Sequence, residues 1–265
     1  MEKIKIYDYY SFGYNYYILL NEETDKTNIE CLEDLKKYTS FLKRLDLRVT
    51  TSSIKLNQLV PEMEKLQKLA KVKKTRDQKI EPVFWKSIVA KLKKVDLTLD
   101  AELNTKIAYL LDEKRFSNEI LTGKIYQLFS KGTFVLLPDI AKFDFEESGQ
   151  CLAFDRYTAC AFHSLRGTED VIKMYYEKLC SKTATDRDTW GTFETAIIKS
   201  IGSGLITPVP DEQLIINISS LRKYYRNKTQ HPQNTYTSDE TQDLLSLCIK
   251  TINEIMHDLQ KRKLI

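Results

Sequence analysis

A chain of 265 residues, 42% apolar and 29% charged, has enough apolar side chains for one large buried core or two small ones. Eight glycines and six prolines among many Lys, Leu and Glu favour an all-α protein over a sandwich or barrel. No apolar run approaches the roughly 18 residues of a membrane span, and the opening MEKIKIYDYY has no apolar core of a signal peptide, so the expectation is a cytoplasmic protein without membrane contact.

The five cysteines (Cys31, Cys151, Cys160, Cys180, Cys248) are odd in number and form no CxxC pair. That pattern fits reduced, mostly buried thiols. Charge is uneven despite a net +4. Residues 65–94 hold eleven basic side chains and two acidic ones. Such an excess fits either a polyanion-binding surface or a solvated helix face.

In chain order, the tyrosine-rich first 25 residues fit either a strand pair around Gly13 or the start of a helix. From Asn28 to about Leu47, apolar residues at Leu32, Leu35, Tyr38, Leu42 and Leu45 recur every three or four positions and predict an amphipathic helix. A second helix is expected from about Ser53 to Lys74, with Leu56, Leu59, Met63, Leu66 and Ala70 inward. Pro82 interrupts, and a third helix is expected over Val83–Lys94. Short helices follow to about Phe129. TFVLLP, between Gly132 and Pro138, reads as a strand or an extended connector. Residues 1–145 thus form a helical N-terminal region, basic at 54–94 and of unassigned role.

Residues 146–265 read as a second domain of four antiparallel helices. The first is expected from about Phe145 to Leu179. The second spans about Thr189–Ile201, closed by Gly202 and Gly204. Asp211 is an N-cap for the third, which turns Leu214, Ile218, Leu221 and Tyr225 inward. Pro232 disfavours the α conformation at His231, so that helix ends nearby. Thr237 to Glu240 form a capping box opening the fourth helix.

The three histidines, His163, His231 and His257, show no metal-ligand spacing among themselves or with cysteine. Phosphate-binding loops and the GxSxG elbow are missing from the sequence. No metal or cofactor is expected. What remains is YYRNKTQHP at the end of the third helix. Five residues on an ideal helix turn about 500°, leaving Arg226 and His231 roughly 140° apart. A chain leaving the helix at Pro232 allows the imidazole to return toward Arg226. An arginine grips phosphate and stabilises the charge of a pentacovalent transition state. A histidine moves protons near neutral pH. RNA supplies its own nucleophile, the 2′-hydroxyl, giving a 2′,3′-cyclic phosphate and a 5′-hydroxyl. One such histidine per chain is too few for separate acid and base, and a symmetric dimer would supply two.

The string RNKTQH at 226–231, the opening from Tyr236 to Glu240, the helix segment AFHSLRGTED and the TWGTF segment at 189–193 resemble a HEPN domain (higher eukaryotes and prokaryotes nucleotide-binding). The resemblance covers a little under half the chain. It implies a helical bundle that dimerises around a composite active site, with metal-independent endoribonuclease activity in phage defence, abortive infection or toxin–antitoxin systems. By the same resemblance Arg226 and His231 are the catalytic pair, Asn227 is their polar companion, and Glu169 orients the arginine. Arg166 and Lys228 are candidate RNA contacts. Arg166 and either Glu169 or Asp170 have the spacing of a helical ion pair. An antitoxin or regulator is a candidate partner. The alternative is a non-catalytic HEPN-like module that binds RNA or protein, and a third possibility is an N-terminal sensor that releases a nuclease half.

Overall fold

The computed structural model describes residues 5–230 and 234–265. Every regular element among them is helical, joined by one isolated bridge between Thr27 and Lys79. Among the described residues no helix is long and apolar enough to cross a membrane. The chain packs as two compact units, Met1–Tyr109 and Leu110–Ile265. The division thus falls well before the expected 145/146 position, which lies inside a continuous helix, Asp139–Ala153.

In the first unit the tyrosine-rich segment is a helix, α1 (Ile6–Leu19). Phe12 and Tyr16 stack with Tyr38 and Phe41 of α2 (Asn28–Arg44). Thr27 and Glu30 cap α2 reciprocally. The expected Ser53–Lys74 helix is instead α3 (Arg48–Leu56), α4 (Leu59–Lys71) and α5 (Lys73–Arg76). Gln58 breaks it by taking a left-handed conformation, φ 56°. Leu56 consequently leaves the inward stripe and is exposed, while Leu59, Leu66 and Ala70 stay buried. Pro82 starts rather than interrupts a helix, since a missing N–H costs nothing at the first turn. α6 runs from it to Leu103, past the expected end at Lys94.

In the second unit α7 (Asn118–Leu121) and two short 3-10 turns precede the main helices. TFVLLP contains one of those turns, Phe134–Leu136, and no strand. The single helix expected over 145–179 is two, α8 (Asp139–Ala153) and α9 (Tyr157–Cys180). The chain reverses between them at Asp155, φ 58°, whose carboxylate accepts from the Tyr157 hydroxyl and pairs with Lys114 at 2.7 Å. α9 packs against α8, α10 (Trp190–Gly202) and α13 (Ser238–Lys261).

Small residues let α8 and α9 approach closely. A Cβ on Gly167 would lie 3.0 Å from the Phe145 ring and 3.1 Å from the Asp144 Cβ. On the side of α8 that meets α7, a Cβ on Gly149 would collide with the Leu121 carbonyl. In the seam Ser148 and Ser164 share a 2.6 Å hydrogen bond, which satisfies two buried hydroxyls. Cys31, Cys160 and Cys248 are buried free thiols, and burial pushes Cys160 up to about 11 and the other two up to about 12.

Asp211 caps α11 (Glu212–Ser220) by accepting from Gln213 N–H at 2.8 Å. The Thr237–Glu240 capping box opens α13. The chain between these helices departs from an ideal helix. Leu221–Arg226 is a π-helical segment, followed by one turn, α12 (Asn227–Thr229). Its i→i+5 bonds widen the turn that leads into Arg226.

Candidate active site

α9 places Phe162, His163, Arg166 and Glu169 along one side at helical spacing. Facing them are Arg226, from the π segment, and Gln230. With Leu165 these residues line a cleft of about 410 Å³. Two arginine–carboxylate pairs organise it.

The first pair is closed. Asp144 of α8 is fully buried and accepts two hydrogen bonds from Arg166, 2.7 Å from Nε and 2.5 Å from Nη2. Its Oδ1 also lies 2.8 Å from His163 Nδ1. These bonds hold the Arg166 guanidinium above its usual range, although it is protonated at any physiological pH regardless. Arg166 therefore pairs with the preceding helix rather than with Glu169 or Asp170 three and four residues on. The reason is tertiary: Gly167 brings Asp144 against α9. Glu169 is meanwhile engaged elsewhere, and burial holds the carboxyl of Asp170 above its usual range, with one oxygen unpaired.

The second pair is open. Glu169 Oε1 accepts from the Trp190 backbone N–H at 3.1 Å, so the N-terminus of α10 pins the carboxylate. Oε2 lies 3.5 Å from Arg226 Nε, near enough for Coulomb attraction but too long for a hydrogen bond. That Nε is buried without a hydrogen-bond partner. A buried N–H left in this state costs about 1–3 kcal/mol. Neither terminal nitrogen of Arg226 makes a hydrogen bond among the described residues.

The π segment is held from both sides. Arg222 reaches the buried Glu194 of α10, which also accepts from Ser219 Oγ at 2.6 Å. Thr229 is buried and shares a 2.6 Å hydrogen bond with the Tyr236 hydroxyl. The Tyr236 N–H in turn donates to Thr158 Oγ1 on the first turn of α9.

The cleft gathers Arg226, Glu169 and Arg166, three of the residues singled out in the sequence. Asn227 and Lys228 are exposed and do not line it. His231 lies outside the described residues. Asp144 and Gln230 join the site without having been anticipated. The available signal for Asp144 was a lone acid between Phe143 and Phe145 in a helix whose inner face is Ala141, Phe145, Ser148 and Leu152.

Among the described residues no group of three or more His, Cys, Asp or Glu side chains is placed to hold a metal ion. The basic stretch at 54–94 divides into two kinds of residue. Lys65 and Lys91 pair with Glu62, Lys79 with Asp25, and Lys93 with Glu22. Lys68, Lys71, Lys73 and Lys74, around the α4–α5 corner, are exposed and make no ion pair among the described residues.

No family model matches the chain, and no curated protein or solved structure matches it. The HEPN resemblance therefore stands on the sequence segments that carry it.

Proposed function

We propose that the chain is a metal-independent endoribonuclease of the HEPN type. Arg226 binds the scissile phosphate and stabilises its added negative charge in the transition state. Glu169 holds the guanidinium in place, and His231 transfers a proton. The 2′-hydroxyl attacks, leaving a 2′,3′-cyclic phosphate and a 5′-hydroxyl. A symmetric dimer would bring two such sites together, and an antitoxin or regulator would restrain them. In the second unit Lys228 and Arg166 are the candidate contacts for the RNA backbone, and in the first unit Lys68, Lys71, Lys73 and Lys74, which make no ion pair among the described residues, are candidate contacts for RNA or a regulator. Phage defence or a toxin–antitoxin pair is the biological setting that the resemblance implies.

The observation that carries the proposal is Arg226. It is anchored by charge on one side, has its terminal nitrogens unengaged among the described residues, and opens into a cleft next to a second cation. A purely structural arginine at this depth would be expected to use its donors within the protein.

Arg226→Ala is expected to lower RNA cleavage in EDTA by about 100- to 1,000-fold. His231→Ala should abolish it with the melting curve unchanged. Cleavage by both variants at the parent's rate would overturn the assignment of these residues, and a parent that binds RNA without turning it over would leave a binding module as the surviving account.

A further inference from the structure

His163 faces the same cleft as Arg226 and is held by a buried carboxylate. We propose that His163 is an acid–base group of this site, with its Nε2 accepting the proton of the attacking 2′-hydroxyl and Asp144 as its positioning residue. This rests on the ribonuclease assignment above and adds the group that takes the first proton.

The geometry selects the tautomer. Asp144 is fully buried, and its Oδ1 lies 2.8 Å from His163 Nδ1. A carboxylate can only accept, so Nδ1 carries the proton and Nε2 keeps its lone pair. Arg166 already balances the charge of Asp144 through two hydrogen bonds. The Nε2 lone pair is therefore available to serve as a base. Nε2 has no hydrogen-bond partner among the described residues, and the side chain is 26% exposed. The arrangement has the logic of a carboxylate-oriented imidazole in nucleophile activation, in which the acid sets orientation and the histidine moves the proton. The charged groups around the imidazole are Asp144 from α8, Arg166 and Glu169 from α9, and Arg226 from the π segment.

The step balances without a co-reactant. The 2′-O–H proton passes to His163 Nε2 while the 2′-oxygen forms a bond to phosphorus. The bond from phosphorus to the 5′-oxygen breaks, that oxygen keeps the electron pair, and it takes a proton from a water molecule. Solvent then takes the proton from His163 and returns it to its starting state.

The test is single-turnover cleavage of a random-sequence RNA pool by the full chain, across pH, with the parent, His163→Asn, His163→Ala and Asp144→Asn. Affinity is measured in parallel on a fully 2′-O-methylated RNA, which binds but cannot react. His163→Asn should slow cleavage by at least about 100-fold, with affinity for the methylated RNA within about twofold. The limb over which the parent's rate rises with pH should disappear. Imidazole in the buffer should restore part of the activity of His163→Ala, a response that a structural ion pair would not give. Asp144→Asn should slow cleavage by roughly tenfold or more.

Cleavage at the parent's rate by His163→Asn would overturn the role of His163 and leave the Arg226 assignment standing. So would a slow His163→Ala that imidazole does not rescue and that binds the methylated RNA poorly. A parent chain that cleaves no RNA would overturn both.

Discussion

The two sides of the cleft treat an arginine in opposite ways. On the α8 side Arg166 spends its hydrogen bonds on Asp144, a carboxylate with no exposure at all. On the α10 side Arg226 stands 3.5 Å from a half-buried Glu169 and leaves a buried Nε–H unmatched. A buried carboxylate requires full pairing, because removing a partner leaves charge in a medium that cannot solvate it. The tight pair is therefore scaffolding. The loose pair is close enough to orient a guanidinium and too weak to consume it, which suits a group meant for an anionic ligand.

The comparison can be broken most directly by deleting each acid. Asp144→Ala should lower unfolding stability by about 2 kcal/mol, since three charge-assisted contacts lose their common acceptor. Glu169→Ala should cost less than about 1 kcal/mol, as expected of a partly exposed pair at long range. Urea denaturation of both variants decides the matter, and equal losses would remove the distinction. A finer test keeps the shape of Glu169 and removes its charge. In Glu169→Gln the side chain still accepts from Trp190, so stability should hold, while cleavage falls about tenfold, equivalent to about 1.4 kcal/mol of transition-state stabilisation.

The smallest effect concerns Asp170, next in sequence and paired with neither arginine. Burial raises its folded-state pKa, so protonation favours the folded chain. Its contribution is fully present below the unfolded carboxylate value and is lost as pH rises through the folded one. Asp170→Asn should therefore raise the thermal midpoint at neutral pH and leave it nearly unchanged in acid. An equal shift at both pH values would show that its charge plays no part.

Much of the second unit was legible in its residues. Helices α10 and α13, the Asp211 cap and the Thr237 capping box follow from short-range rules, because a cap and a helical stripe are settled within a few residues. Interruptions were less legible in both units. Gln58 and Asp155 break helices whose apolar spacing continues across the break, and neither has the glycine or proline that would announce it. The end of TFVLLP also misled, since a short apolar run fits strand and helix equally until its neighbours are known.

The amino-acid order by itself determined an all-helical protein and placed Arg226, Glu169 and Arg166 as polar residues within otherwise apolar helices. Which acid meets which arginine was decided only by the tertiary structure. Helical spacing offered Glu169 or Asp170 to Arg166, yet Gly167 draws α8 close enough for Asp144 to take that place. Glu169 is left to the α10 terminus and Arg226. Pairing across helices depends on how far and at what rotation they pack, and residue spacing along one helix carries no information about either.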